Sequence, residues 1–203
     1  MVDERRTIVV ADTSGSMSEH GKLMLVRNLL THVRQWAREA DGALAARAPF
    51  LVRWSTEAVV LEVPAHEDLP MLRADGRVAV EPLLALLDSL TSDGGPVALL
   101  LLSDGHLAAA DVSAFRAWLR RHPNVSVRAI AVGPDAVTTT LARLSSAVDV
   151  GERRSSETAV AGSRGWFPPE EILCALEAWP LSGPAPLPER VAEVVGEGQG
   201  TRT

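Results

Sequence analysis

The stretch "VVADTSGSMS", Val9–Ser18, decides how the chain is read. It begins inside an apolar run, "TIVVA" (Thr7–Ala11), whose branched side chains mark a buried strand. The run drives into Asp12, and Ser14 and Ser16 follow at alternate positions with Gly15 between them. A tight loop can aim a carboxylate and two hydroxyls so spaced at one point, and Gly15 relieves the crowding. Hard divalent cations such as Mg²⁺ take oxygen ligands in octahedral array and keep part of their water. The same residue types also close ordinary turns, so the rest of the chain has to separate a metal loop from a capped turn.

Downstream, strand patterns alternate with helical ones. "KLMLVRNLLTHVRQWAREA" sets Leu23, Val26, Leu30, Val33 and Trp36 at helical spacing. "FLVRWS" and "AVVLEV" are short strands joined by a hairpin-sized connection. "EPLLALLDSL" is a helix with Pro82 in its first turn. "GGPVALLLLSDG" is a turn, a strongly buried strand and a second loop, which carries Asp104. "DVSAFRAWLRRH" is a helix that Asp111 would cap. "VSVRAIAVG" is a strand and "TTTLARLSSAV" a short helix. Trp166 and Phe167 would anchor a last helix, "PPEEILCALEAW", opened by Pro168 and Pro169. This order predicts an α/β fold: a doubly wound, Rossmann-like, mostly parallel sheet with one antiparallel edge strand and helices on both faces. Residues 1–180 form the domain. Residues 151–165 are a polar, Gly-rich loop, and residues 181–203, rich in Pro and Gly, form a flexible tail.

Composition narrows the function. The chain has 203 residues, 46% hydrophobic and 23% charged, with a formal net charge of -6. An acidic chain without a basic face disfavours nucleic acid. No apolar run is long enough for a membrane span, and the N-terminus does not read as a signal peptide, so the expected location is cytoplasmic. The single cysteine, Cys174, allows neither an internal disulfide nor a cysteine zinc site. Of 20 basic residues only Lys22 is not arginine, which we read as compositional bias of the source genome.

In open α/β sheets, ligands sit beyond the carboxyl ends of the strands. Asp12 and Asp104 both fall at such ends, which makes Asp12, Ser14, Ser16 and Asp104 an all-oxygen candidate set. With this order of elements, "DTSGSMS" resembles the Asp-x-Ser-x-Ser signature of von Willebrand factor type A (vWA) domains, their metal-ion-dependent adhesion site (MIDAS). The resemblance spans roughly residues 5–180 and is similar in size to short, stand-alone intracellular bacterial members. It implies that Asp12, Ser14 and Ser16 hold Mg²⁺ (or Mn²⁺ or Ca²⁺), with Asp104 acting through water. It also implies that another protein completes the coordination with an Asp or Glu, and that the chain serves as a scaffold or adaptor, with an AAA+ ATPase, a kinase or a phosphatase among the partners. Members of the family carry a threonine in a second loop. In "RADGRVAVEPLL" that position falls on Val78, which has no oxygen to offer; Asp75 lies nearby. Weak metal binding follows as an expectation.

Two other readings are carried. A degenerate, metal-free scaffold is kept open by Val78. A metal-dependent phosphohydrolase of the haloacid-dehalogenase type would need a general-acid Asp two residues after Asp12, where Ser14 stands. Phosphate-cradling Gly-rich loops and nucleophile elbows are absent from the sequence. The expectation is therefore a binding module and not an enzyme. His20 and His106 flank the presumed rim and read as solvated loop residues.

Overall fold

A computed structural model of the chain describes residues 6–39, 49–64, 67–145, 166–172 and 175. The first strand, β1 (Arg6–Asp12), leads through a 3₁₀ turn at Gly15–Ser18 into α1 (Lys22–Glu39). Then come β2 (Phe50–Trp54), β3 (Ala58–Val60), α2 (Val80–Leu90), β4 (Val97–Ser103), α3 (Ala109–Arg121), β5 (Val125–Ala131), α4 (Thr138–Leu144) and β6 (Trp166–Phe167). The strands form one sheet in the order β3-β2-β1-β4-β5-β6. All neighbours pair in parallel except β2 and β3, which form an antiparallel hairpin. The predicted mostly parallel sheet with one antiparallel edge strand is the one observed.

The two-residue period of a strand sends successive side chains to opposite faces. In β1, Val9 and Ala11 face α1, joined there by Val26, Leu30 and Val33 of that helix and by Leu100 and Leu102 of β4. Ile8 and Val10 face the other way with Leu99 and Leu101, against Val80, Leu83 and Leu87 of α2, Phe115 and Trp118 of α3, and Leu141 and Leu144 of α4. Every residue of β4 is buried. Its neighbours on both sides explain why "VALLLLS" shows no alternation: a central parallel strand has no wet face. Trp54 and Trp118 are core residues, and each buried indole donates its N–H, to the Ala79 carbonyl at 2.7 Å and to Asp88 Oδ1 at 2.5 Å.

Three local expectations change. Asp111 does not cap α3: Ala108 holds that position, and Asp111 lies in the first turn, where its charge still suits the helix dipole. Trp166 and Phe167 do more than precede a helix, since they pair with Ala129 and Ile130 as the parallel edge strand β6. The expected last helix opens as a 3₁₀ turn at Pro169–Glu171, and Ile172 and Ala175 beyond it are helical. Cys174, the loop 151–165, the end of the domain at 180 and the tail 181–203 lie outside the described residues. Among the described residues no helix is long and apolar enough to cross a membrane.

Parallel pairing carries the carboxyl ends of β1, β4 and β5 to one edge. Ala11 pairs with Leu102, and Ser103 with Ala131, so Asp12 emerges beside Ser103 and Asp104. The turn after β4 depends on Gly105, whose φ of +75° lies in the left-handed region and whose added Cβ would come within 2.8 Å of the Val137 carbonyl oxygen. Gly105→Ala is therefore expected to destabilise the protein by about 1–3 kcal/mol, readable as a lowered midpoint in urea; an unchanged midpoint would mean that this turn relaxes freely.

Candidate metal centre

The rim is built from polar side chains that the sheet holds out of water. Asp12, Thr13, Ser103 and Asp104 are completely buried, and Ser14 is nearly so. Asp12 Oδ1 accepts the Ser14 N–H at 2.9 Å, and its Oδ2 accepts the Ser103 hydroxyl at 2.6 Å. Ser103 Oγ in turn accepts the Gly105 N–H at 3.0 Å. The first bond is the local closure that makes an Asp-x-Ser loop turn. The second is possible only because β1 and β4 are neighbours. The Ser14 and Ser16 hydroxyls stand 3.2 Å apart, so the loop does aim its alternate serines at one place, and the Ser14 side chain also hydrogen-bonds the Asp12 carboxylate.

Asp104 is held separately. Its Oδ1 accepts the His106 N–H at 3.1 Å, and its Oδ2 accepts from Lys22 Nζ at 2.8 Å. The same ammonium reaches Asp135 Oδ2 at 2.8 Å and the Ser16 carbonyl at 3.2 Å. Asp135 belongs to the loop after β5 and is 40% exposed. His106 Nε2 lies 3.5 Å from Asp135 Oδ2, and Asp104, His106 and Asp135 could converge on one ion. His106, though itself exposed, thus faces the rim, whereas His20 lies exposed in the loop before α1.

The electrostatics follow from this geometry. Burial raises the pKa of Asp12 above 3.8 in spite of its hydrogen bonds, and the nearby Asp104 charge adds to the rise. Among the described residues no ion pair reaches Asp12. For Lys22, burial alone would lower the pKa, but the hydrogen bonds to Asp104 and Asp135 outweigh it and leave the pKa raised. Asp135 is lowered, chiefly by its bond to Lys22. The donor set fits a hard divalent ion: a buried carboxylate with no cation of its own, flanked by two convergent hydroxyls. Asp12, Ser14 and Ser16 would hold it. The chemistry the ion would supply is one more coordination position, open to an outside oxygen.

The structure assembles the four residues picked from the sequence at one edge. Asp12 is fully buried, because Ser103 and the loop enclose it. The second loop approaches through backbone, not through position 78. Asp75 N–H donates to the Thr13 carbonyl at 2.8 Å, and the Gly76 carbonyl accepts the Gly15 N–H at 2.9 Å. Val78 packs against the core cluster shared with α2 and α3. Ser103, Lys22 and Asp135 were missed. Their one available signal was that Lys22 is the sole lysine among arginines.

No protein-family model matches the sequence, and no curated protein aligns with it significantly. Solved structures match by shape. The manganese-loaded TRAP protein of Plasmodium vivax superposes with a TM-score of 0.60 at 10% identity, covering 90% of this chain and 76% of that one. A von Willebrand factor type A protein from Catenulispora acidiphila gives 0.53 at 19%, covering 87% and 42%. Proximal thread matrix protein 1 of the mussel byssus, with a zinc-occupied MIDAS motif, gives 0.54 at 14%, covering 86% and 46%. The chain spans less than half of the latter two proteins. At these identities the likeness is one of fold: the chain has the vWA-type fold.

Two outcomes are expected. Because the folded state of Asp12 binds its proton more tightly than the unfolded chain does, its contribution favours folding at low pH and is lost as pH rises through the raised pKa. Asp12→Asn should then make the metal-free protein more stable at neutral pH. The gain should shrink as pH falls toward the ordinary carboxylate value of 3.8. Thermal denaturation in EDTA at both pH values measures this, and equal midpoints at neutral pH would contradict the raised pKa of Asp12. Val78→Thr should leave Mg²⁺ affinity unchanged in calorimetry, since the hydroxyl enters the core side; tighter binding would put residue 78 at the ion.

Proposed function

We propose that this chain is a metal-dependent protein-binding module, a vWA-type domain with a MIDAS-like rim, working as a scaffold or adaptor in an intracellular bacterial complex. The carrying observation is the loop at the end of β1, where a buried Asp12 with no cation partner among the described residues lies in one loop with two serine hydroxyls 3.2 Å apart. Proteins of the same fold carry manganese and zinc, the zinc in a MIDAS motif. Mg²⁺ is the ion we assign here, on the hardness of the oxygen donors. A cation held from one side by Asp12, Ser14 and Ser16 can accept an Asp or Glu from a partner. The partner is another protein, with AAA+ ATPases, kinases and phosphatases as the classes to try first. We do not assign an enzymatic reaction: the position two after Asp12 is Ser14, which cannot serve as the general acid of phosphoryl-group hydrolysis.

A metal-free scaffold is the second reading, and Lys22 is the observation that favours it, since a cation already sits against Asp104. Calorimetry with Mn²⁺ on the parent and on the Ser14→Ala/Ser16→Ala double variant separates the two. We expect a loss of at least about tenfold in affinity, about 1.4 kcal/mol, with the melting temperature in EDTA unchanged. Affinity capture with the parent in Mg²⁺ should retain partners that are released by EDTA and not held by the double variant. Retention that ignores EDTA and both serines would support the metal-free scaffold.

A further inference from the structure

The composition of this chain uses arginine everywhere except at residue 22, and residue 22 is buried at the rim. Its side chain is 0% exposed. It stands on the first residue of α1, the end of a helix where a cation is disfavoured by the dipole. An ammonium has three donors, and here each has an acceptor: Asp104 Oδ2, Asp135 Oδ2 and the Ser16 carbonyl. These acceptors come from three separate loops, after β1, β4 and β5. Room for the stem is provided by Gly133, where an added Cβ would lie 2.6 Å from Lys22 Cε and 3.0 Å from Cγ. A planar guanidinium is a larger group than this compact point charge, which explains why the chain departs from arginine here.

The ammonium therefore joins the Ser16 segment to Asp104, the two parts of the rim that a divalent ion would also join. Given the reading of the rim as a metal site, on which this rests, we propose that Lys22 is a tethered cation that takes the place of the divalent ion against Asp104 and so sets the metal affinity of the site. With Lys22 in place, Asp104 is committed and an incoming ion meets a like charge at short range, in surroundings that screen poorly. The ion is left with Asp12, Ser14, Ser16 and water. With Lys22 neutralised, Asp104 and Asp135 are freed, with His106 beside them. Among the described residues no buried side-chain nitrogen or oxygen lacks a hydrogen-bond partner, and for Asp104 Oδ2 that partner is Lys22.

The test uses the full chain and its single lysine. Lysine-selective ¹³C/¹⁵N labelling gives one Lys22 side-chain signal, followed while Mg²⁺ is added; calorimetry with Mg²⁺ is run on the parent and on Lys22→Met and Lys22→Gln. Expected are movement of the Lys22 signal in step with saturation and a gain of about tenfold or more in affinity in the variants. The variants should also lose melting temperature in EDTA and recover it with Mg²⁺. Binding in the variants but not in the parent would be the same conclusion in its strongest form. If the parent binds Mg²⁺ while the Lys22 signal stays still, or if folded variants bind no tighter, the tethered-cation role is wrong and the metal site stands. If neither parent nor folded variants bind, the metal reading itself falls. Should neither variant fold, the parent's labelled signal decides alone: a still signal during ion binding overturns the role.

Discussion

Two carboxylates lie buried at the ends of adjacent parallel strands, and among the described residues only Asp104 pairs with a cation. That asymmetry organises the whole edge of the sheet. A carboxylate removed from water must be paired, hydrogen-bonded or neutralised. Asp104 is paired, with the Lys22 ammonium at 2.8 Å. Asp12 is only hydrogen-bonded, by the Ser103 hydroxyl and the Ser14 N–H. A buried Asp12 with no cation partner among the described residues is what marks this end of β1 as a place for an outside cation, and the convergence of Ser14 and Ser16 would supply other oxygens.

The same asymmetry links stability to binding. Burial of Asp12 disfavours its ionised form, and an ion bound there on the proposed reading would add stability in proportion to its affinity. Lys22 works in the opposite sense: it secures the β4 and β5 loops without any ion, and it withholds Asp104 from one. On the proposed reading, a rim of this kind would engage an ion from one side only. The glycines serve the same end. Gly105 lets the turn after β4 pass under the Val137 carbonyl, and Gly133 lets the lysine stem reach its acceptors.

The sheet and its layers were legible from local patterns. Apolar runs such as Thr7–Ala11 and the stretch before Asp104, alternating with helical spacing as in Leu23, Val26, Leu30 and Val33, leave few ways to bury every apolar stripe. A parallel sheet covered on both faces is the one that satisfies them. Asp12, Ser14, Ser16 and Asp104 could be picked because strand ends in such a sheet share an edge. The cap of α3 and the short strand β6 were not legible. Ala108 takes the cap position without a side-chain bond, and two residues make too brief a pattern to announce a strand.

What the sequence determined by itself was thus the order of elements and the chemistry of one loop, since both arise between residues close along the chain. The tertiary structure decided the rest. Ser103 reaches Asp12 across 91 positions, and Lys22 reaches Asp104 across 82 and Asp135 across 113. No local pattern carries such contacts: they exist because parallel pairing sets β1, β4 and β5 side by side. Read along the chain, Lys22 is one residue at the start of an amphipathic helix. Folded, it is the charge that three loops share, because burial among carboxylates, and not position in the sequence, gives an ammonium that role.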